Sequence, residues 1–197
     1  MRVFGGQLAG MPLLSPGPRV RPSMERLRDA CARHFGERLV GAKVVDLFAG
    51  TGALGLELVS QGAASCDFIE NGDSAMHSLK ANVATFKSRA KKLGLTPSIR
   101  VFFKDAIPFS AALPQSAYDI ALCDPPYGSK KLDRILATWL AVPFARWLVL
   151  EHEPMHPFDH AGRLVHRLRI EDSTLSILAA PETPHEVPSP ATNLTDS

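Results

Sequence analysis

From Lys43 onward the chain alternates short apolar runs with amphipathic stretches, and this alternation constrains the fold more than any other feature. Lys43–Phe48, Ser65–Glu70, Ser98–Phe103, Tyr118–Cys123 and Trp147–Glu151 read as strands. Helical spacing falls between them, over 53–61 (stopped by Gly62), 74–90 (with Asp73 as its cap) and 132–140. Short apolar strands separated by helices predict an α/β fold with a parallel sheet covered on both faces. Arg163–Ile170 and Thr174–Ala179, joined by a turn around Asp172, predict a β-hairpin that closes one sheet edge.

The flanks differ in character. Residues 1–23 are rich in Gly and Pro and predict an irregular arm or small hairpin. Met24–Phe35 has helical apolar spacing at Met24, Leu27, Cys31 and Phe35, with Ser23 placed to cap it. Residues 181–197 carry four prolines and little apolar content, which predicts a disordered tail after a main domain over 24–180.

Net charge is only +2, but residues 1–43 hold eight basic side chains against three acidic ones. That imbalance suits a polyanion. The three cysteines, Cys31, Cys66 and Cys123, stand far apart in no CxxC pair and read as reduced core residues of a cytoplasmic protein. His152, His156 and His160 are interrupted by Pro154 and Pro157, so no metal is expected. No run is apolar and long enough for a signal peptide or a membrane span.

Gly50-Thr51-Gly52-Ala-Leu-Gly55 follows a strand and opens a helix, where glycines let the backbone approach a ligand. Glu70 ends the next strand, where a carboxylate can take both ribose hydroxyls. These features alone suit NAD and S-adenosylmethionine equally. Asp46 separates them: a carboxylate beside the turn repels a pyrophosphate but favours an ammonium and a sulfonium. After the third strand, Asp105 can accept from an adenine amino group, and the Ala106 N–H can meet a ring nitrogen.

Asp124-Pro125-Pro126-Tyr127 stands directly after the fourth strand. Two prolines remove two N–H donors and stiffen the loop. The Asp124 carboxylate and the Pro125 carbonyl can each accept one hydrogen of an exocyclic amine, while Tyr127 stacks on its ring. Holding those hydrogens aims the nitrogen lone pair at a methyl donor.

Taken with Arg2-Val-Phe-Gly5-Gly6, with Arg21-Pro22-Ser23 leading into Arg26-Leu27-Arg28, and with the Asp46–Glu57 segment, this loop resembles the bacterial 16S rRNA (guanine-N2)-methyltransferase family, RsmD-like enzymes of the Asp-Pro-Pro-Tyr type. The resemblance implies a class I, Rossmann-like seven-stranded methyltransferase sheet flanked by helices. It implies S-adenosylmethionine as donor, S-adenosylhomocysteine as product, and 16S rRNA as partner, free or within an assembling small subunit. It assigns Asp46, Gly50, Gly52, Glu70 and Asp105 to the cofactor, with Phe48, Thr51, Asn71 and Ala106 beside them. The loop from Asp124 to Tyr127 is the implied catalytic site. Arg2, Arg21, Arg26 and Arg28 are the candidate RNA contacts. Two family features are missing: an Arg-Gly-Arg after the glycine pair, where Ala9-Gly10-Met11 stands, and Tyr-Gly-Asp-Thr near the hairpin, where Ile170-Glu-Asp-Ser-Thr174 stands. Other acceptors open to such a loop are an adenine or cytosine amine of DNA or a glutamine side chain, and the fold could also serve as an RNA-binding module without turnover.

Overall fold

The computed structural model describes residues 1–15 and 22–181, with 22–24 as backbone only. Arg21 and the tail beyond Pro181 lie outside the described residues. Seven strands form one sheet: β1 (Lys43–Asp46), β2 (Ser65–Glu70), β3 (Ser98–Phe103), β4 (Tyr118–Cys123), β5 (Ala145–His152), β6 (Leu164–Ile170) and β7 (Ser173–Ala179). Their order is β3-β2-β1-β4-β5-β7-β6. The first five are parallel, and the β6–β7 hairpin returns antiparallel through Glu171 and Asp172. This is the class I methyltransferase sheet that the resemblance implied. Strand order reverses between β1 and β4, so the crevice beyond their carboxyl ends is where such a sheet receives ligands.

Helices cover both faces: α1 (Pro22–Phe35), α2 (Ala53–Ser60), α3 (Asp73–Lys92), α4 (Ala106–Ala111) and α5 (Lys131–Ala141). One apolar layer gathers Leu27, Phe35, Leu56, Phe68 and Phe86. The opposite layer gathers Val45, Ile135, Trp139 and Leu148. No helix among the described residues is long and apolar enough to cross a membrane.

Two expected caps are not caps. α1 begins at Pro22, which places Ser23 inside its first turn. Proline suits that entry because its missing N–H would have no helical partner there. Asp73 is the first residue of α3, whose cap is Gly72. Its carboxylate still favours the positive helix end. The short helix α4 was not expected; Asp105 caps it by accepting from the Ile107 N–H at 2.9 Å.

Residues 1–14 form a small hairpin rather than a loose strap. Val3 donates to the Met11 carbonyl, and Leu13 to that of Met1, each at 2.9 Å. Val3, Leu8, Met11 and Leu13 are buried in the main core. The Glu57 carboxylate, itself fully buried, accepts from the Phe4 and Gly5 N–H groups at 2.7 Å each. Asn82 bonds both backbone groups of Leu14 and also donates to the Thr51 carbonyl at 2.8 Å. One amide side chain thus ties the hairpin to the glycine turn.

Candidate active site

A cavity of about 570 Å3 opens at the carboxyl ends of β1, β2, β4 and β5. Its walls include Asp46, Phe48, Gly50, Thr51, Glu70 and Asn71 from the first two strand ends. Asp124, Pro125, Pro126 and Tyr127 face them across it. The two motifs therefore share one chamber, although Asp46 and Asp124 stand 78 positions apart in the chain.

The turn after β1 is held from several sides. Gly50 has φ +53°, and a Cβ built there would meet only the Phe48 carbonyl, at 4.0 Å. A side chain at Gly50 would occupy the space next to the cavity, and glycine keeps it clear. Gly55, in the first turn of α2, donates to Asp46 Oδ2 at 3.2 Å. Glu70 accepts from the Gly50, Asn71 and Gly72 N–H groups at 2.7, 2.9 and 2.7 Å. Glu70 is thus a brace for the turn as well as a wall of the cavity.

Electrostatics in the chamber favour a cation. Asp46, Glu70, Asp124 and Glu151 bring four carboxyl groups to it, against Arg28 and Lys131. Burial pushes the Asp46 carboxyl up to about 7, and the nearby charges of Glu70 and Glu151 add to the rise. Asp124 is raised well above the usual carboxylate range, first by burial and then by the charge of Glu151 beside it. Glu151 is raised as well, by burial, while hydrogen bonds from Ser173 and Asp124 and the charge of Arg28 hold the rise back. Two carboxyls sharing one buried site cannot both ionise cheaply, which is why both are raised.

Several expected residues stand elsewhere or do other work. Arg28 is no surface contact for RNA: it is 5% exposed, lines the cavity, and its Nε has no hydrogen-bond partner. Its position on α1 explains this, since it lies three and seven residues before Cys31 and Phe35 and so shares their buried face. Asp105 and Ala106 are not in the cavity wall; they start α4 next door, where Lys104 N–H bonds the Glu70 carbonyl at 3.1 Å. Gly52 caps α2 behind the wall. Arg2 is exposed and pairs with Glu25 at 3.5 Å, and Arg26 is exposed. Arg100 of β3 is paired with Asp67.

Glu151 and Ser173 were missed by the sequence reading. The signal for Glu151 was present: an acid closing the apolar run Trp147-Leu-Val-Leu150 stands at the ligand-binding edge of the sheet. Ser173 gave no comparable signal, because only the antiparallel return of β7 brings it alongside β5.

A cationic ligand with an apolar body fits these residues: buried acids, the aromatic face of Phe48, and a turn kept clear at Gly50. Comparisons with known proteins agree in direction. A family model described as "Conserved hypothetical protein 95" matches residues 1–169. Ribosomal RNA small subunit methyltransferase D of Escherichia coli (strain K12) is 30% identical over 176 residues, covering 86% of this chain and 84% of that protein. The Bacillus subtilis (strain 168) protein YlbH is 31% identical over 139 residues, 69% of this chain and 72% of its own length. The solved structure of yhhF from Escherichia coli superposes with a TM-score of 0.75 at 26% identity, covering 91% of this chain and 97% of that one. The chain belongs to the "Conserved hypothetical protein 95" family, that of the RsmD-like rRNA methyltransferases.

Proposed function

We propose that the protein transfers a methyl group from S-adenosylmethionine to the exocyclic N2 amine of a guanine in 16S rRNA. The observation that carries this reading is the meeting of two motifs in one chamber: an acidic, glycine-lined half suited to a cation, and a rigid Asp-Pro-Pro-Tyr half suited to an amine. When bound, S-adenosylmethionine supplies a methyl group on a cationic sulfur. Asp46 would attract its positive charge, Glu70 and Asn71 would hold its ribose, and Phe48 and Leu54 offer apolar surface. Asp105 and Ala106 keep their assignment to the adenine end, beyond the present wall.

On the other side, Asp124 and the Pro125 carbonyl accept the amine hydrogens, and Tyr127, 45% exposed, offers its ring to the base. An aryl amine is a weak nucleophile because its lone pair is drawn into the ring. Fixing its two hydrogens turns the lone pair toward the methyl group, a gain by positioning. Among the described residues, Arg2 and Arg26 remain the candidates for contact with RNA, with Lys130 and Lys131 beside the loop. Such a substrate, whether naked rRNA or an assembling subunit, places the protein in the cytoplasm.

The test is methyl transfer from labelled S-adenosylmethionine to small ribosomal subunits, naked rRNA and duplex DNA. Label in guanine N2 of the rRNA is the expected result. Label confined to DNA, or to protein glutamine, overturns the assignment.

A further inference from the structure

The buried acid Glu151 has no part in the reading above, yet it is joined to both the catalytic loop and the surface. The register of β4 on β5 pairs Cys123 with Leu150, so Asp124 and Glu151 are the next positions along neighbouring strands at the cavity edge. Both side chains line the same cavity and act on one another there. The Ser173 hydroxyl donates to Glu151 Oε1 at 2.7 Å, and the Tyr127 hydroxyl donates to Ser173 Oγ at 3.2 Å. Glu151 and Ser173 are 5% and 4% exposed, whereas Tyr127 reaches solvent. An unbroken run of groups able to pass hydrogens therefore leads from the amine side of Asp124 to the outside.

We propose that Glu151 receives the proton shed by the methylated amine, passed on by Asp124, and discharges it to water through Ser173 and Tyr127. This rests on the reading that Asp124 meets the amine. The surroundings set the direction. Arg28 of α1 and Ser173 of β7 favour negative charge on Glu151, so in this relay Asp124 is the partner that holds the proton at rest. Asp46 of β1 opposes a second negative charge on the pair, and Cys123 beside Asp124 is held as a neutral thiol. His152, the next residue on β5, is turned to the Glu153 carbonyl and to Ser176, with Arg167 nearby.

The proton count closes. Once the N–C bond has formed, the amine carries a positive charge and the acid pair carries −1. An N–H bond breaks as the unprotonated oxygen of Asp124 takes that hydrogen. The hydrogen Asp124 already held moves to Glu151, and the pair is neutral. The Ser173 and Tyr127 hydroxyls, which donate inward at rest, first turn outward. Glu151 then gives a proton to Ser173 Oγ, Ser173 passes its own to Tyr127, and the Tyr127 hydrogen leaves to water. The pair returns to −1 with both hydroxyls again donating inward.

Two measurements on the full-length protein test this. Infrared titration without any ligand should show a protonated carboxyl persisting above pH 7, lost in D124N and shifted in E151Q. Both groups fully ionised at pH 7 in the wild type overturns the proposal. In single-turnover transfer, S173A removes one oxygen and should slow the step roughly a hundredfold, the scale of assisted proton transfer, with cofactor and RNA binding unchanged and the solvent deuterium effect altered. S173A with the wild-type rate, pH profile and isotope effect overturns the relay alone. A wild-type protein that methylates no nucleobase overturns the reading of the site, and the relay with it. Should E151Q fail to fold, the wild-type titration and S173A still decide the question.

Discussion

Asp46 answers to two opposed demands. Buried among other acids, its carboxyl is pushed up to about 7, so in the ligand-free protein it is partly protonated at neutral pH. A cationic ligand favours the ionised form and pulls the value down. Cofactor binding should therefore release protons near neutrality and weaken as pH falls below 7, by up to about tenfold per pH unit. Calorimetry in buffers of different ionisation heat reads this directly, and D46N should flatten the dependence while lowering affinity at pH 8. Asp124 plays a different part. D124N should cut turnover by about 10²–10³-fold, as when one preorganised partner of a transition state is removed, with cofactor affinity close to wild type. Equal losses in both would move Asp124 to the cofactor side. The sequence named Asp46 and Asp124 because each stands beside a motif that explains it. It misplaced Arg28 because a charge count treats arginine as surface, although the helical period of its own apolar neighbours put it inside. A guanidinium with an unpartnered Nε beside Glu151 is intelligible only once β5 lies next to α1.

Among the elements, the N-terminal hairpin depends on groups that α2 supplies. Glu57→Ala strips two charge-assisted bonds from the Phe4 and Gly5 N–H groups and should cost about 1.5–3 kcal/mol. The same change should expose residues 1–14 to proteolysis, which a time course on wild type and variant would show. Gly55 marks where α2 lies closest to the sheet: a Cβ there would stand 2.5 Å from the Phe68 ring and 2.8 Å from Cys66 Sγ. Gly55→Ala should destabilise the protein by about 1–3 kcal/mol through overpacking, read as a lower urea midpoint. The glycine spacing announced this helix, yet not which glycine faces the ligand and which the sheet. Strand positions were legible because the apolar runs are continuous, as buried parallel strands must be. Helix ends were less so. Ser23 and Asp73 have the right chemistry for caps but fall inside their helices, as the second residue of α1 and the first of α3, and α4 escaped because six residues with Pro108 among them carry no helical period.

For the molecule as a whole, the acid cluster sets how stability follows pH. The native Asp46 value of about 7 lies above the 3.8 of an unfolded carboxyl, and Asp124 and Glu151 are raised too. These acids thus bind more protons in the folded protein than in the unfolded chain above pH 4, while His34, lowered by burial to about 4, and His152, lowered likewise, bind fewer below about pH 6.5. The two effects oppose each other below about pH 6.5, so stability without ligand should fall as pH rises above about 7, and saturating cofactor should reverse that trend. Urea midpoints at pH 7, 7.5 and 8, with and without cofactor, would show it; a midpoint rising with pH over that range in the free protein would contradict the burial of these acids.

The place of β7 has a consequence for how the protein is made. Every residue of this strand is buried, and it slots between β5 and β6 although it is the last strand in the described chain. A nascent polypeptide leaving the ribosome can lay down β1 to β5 in order and assemble both motifs. Until Ser173 emerges, however, β5 has a bare edge and Glu151 has no hydroxyl beside it. Unfinished copies would hold a donor pocket without the proposed outlet for its proton, so the emergence of β7, rather than formation of the glycine turn, is the step that completes the site.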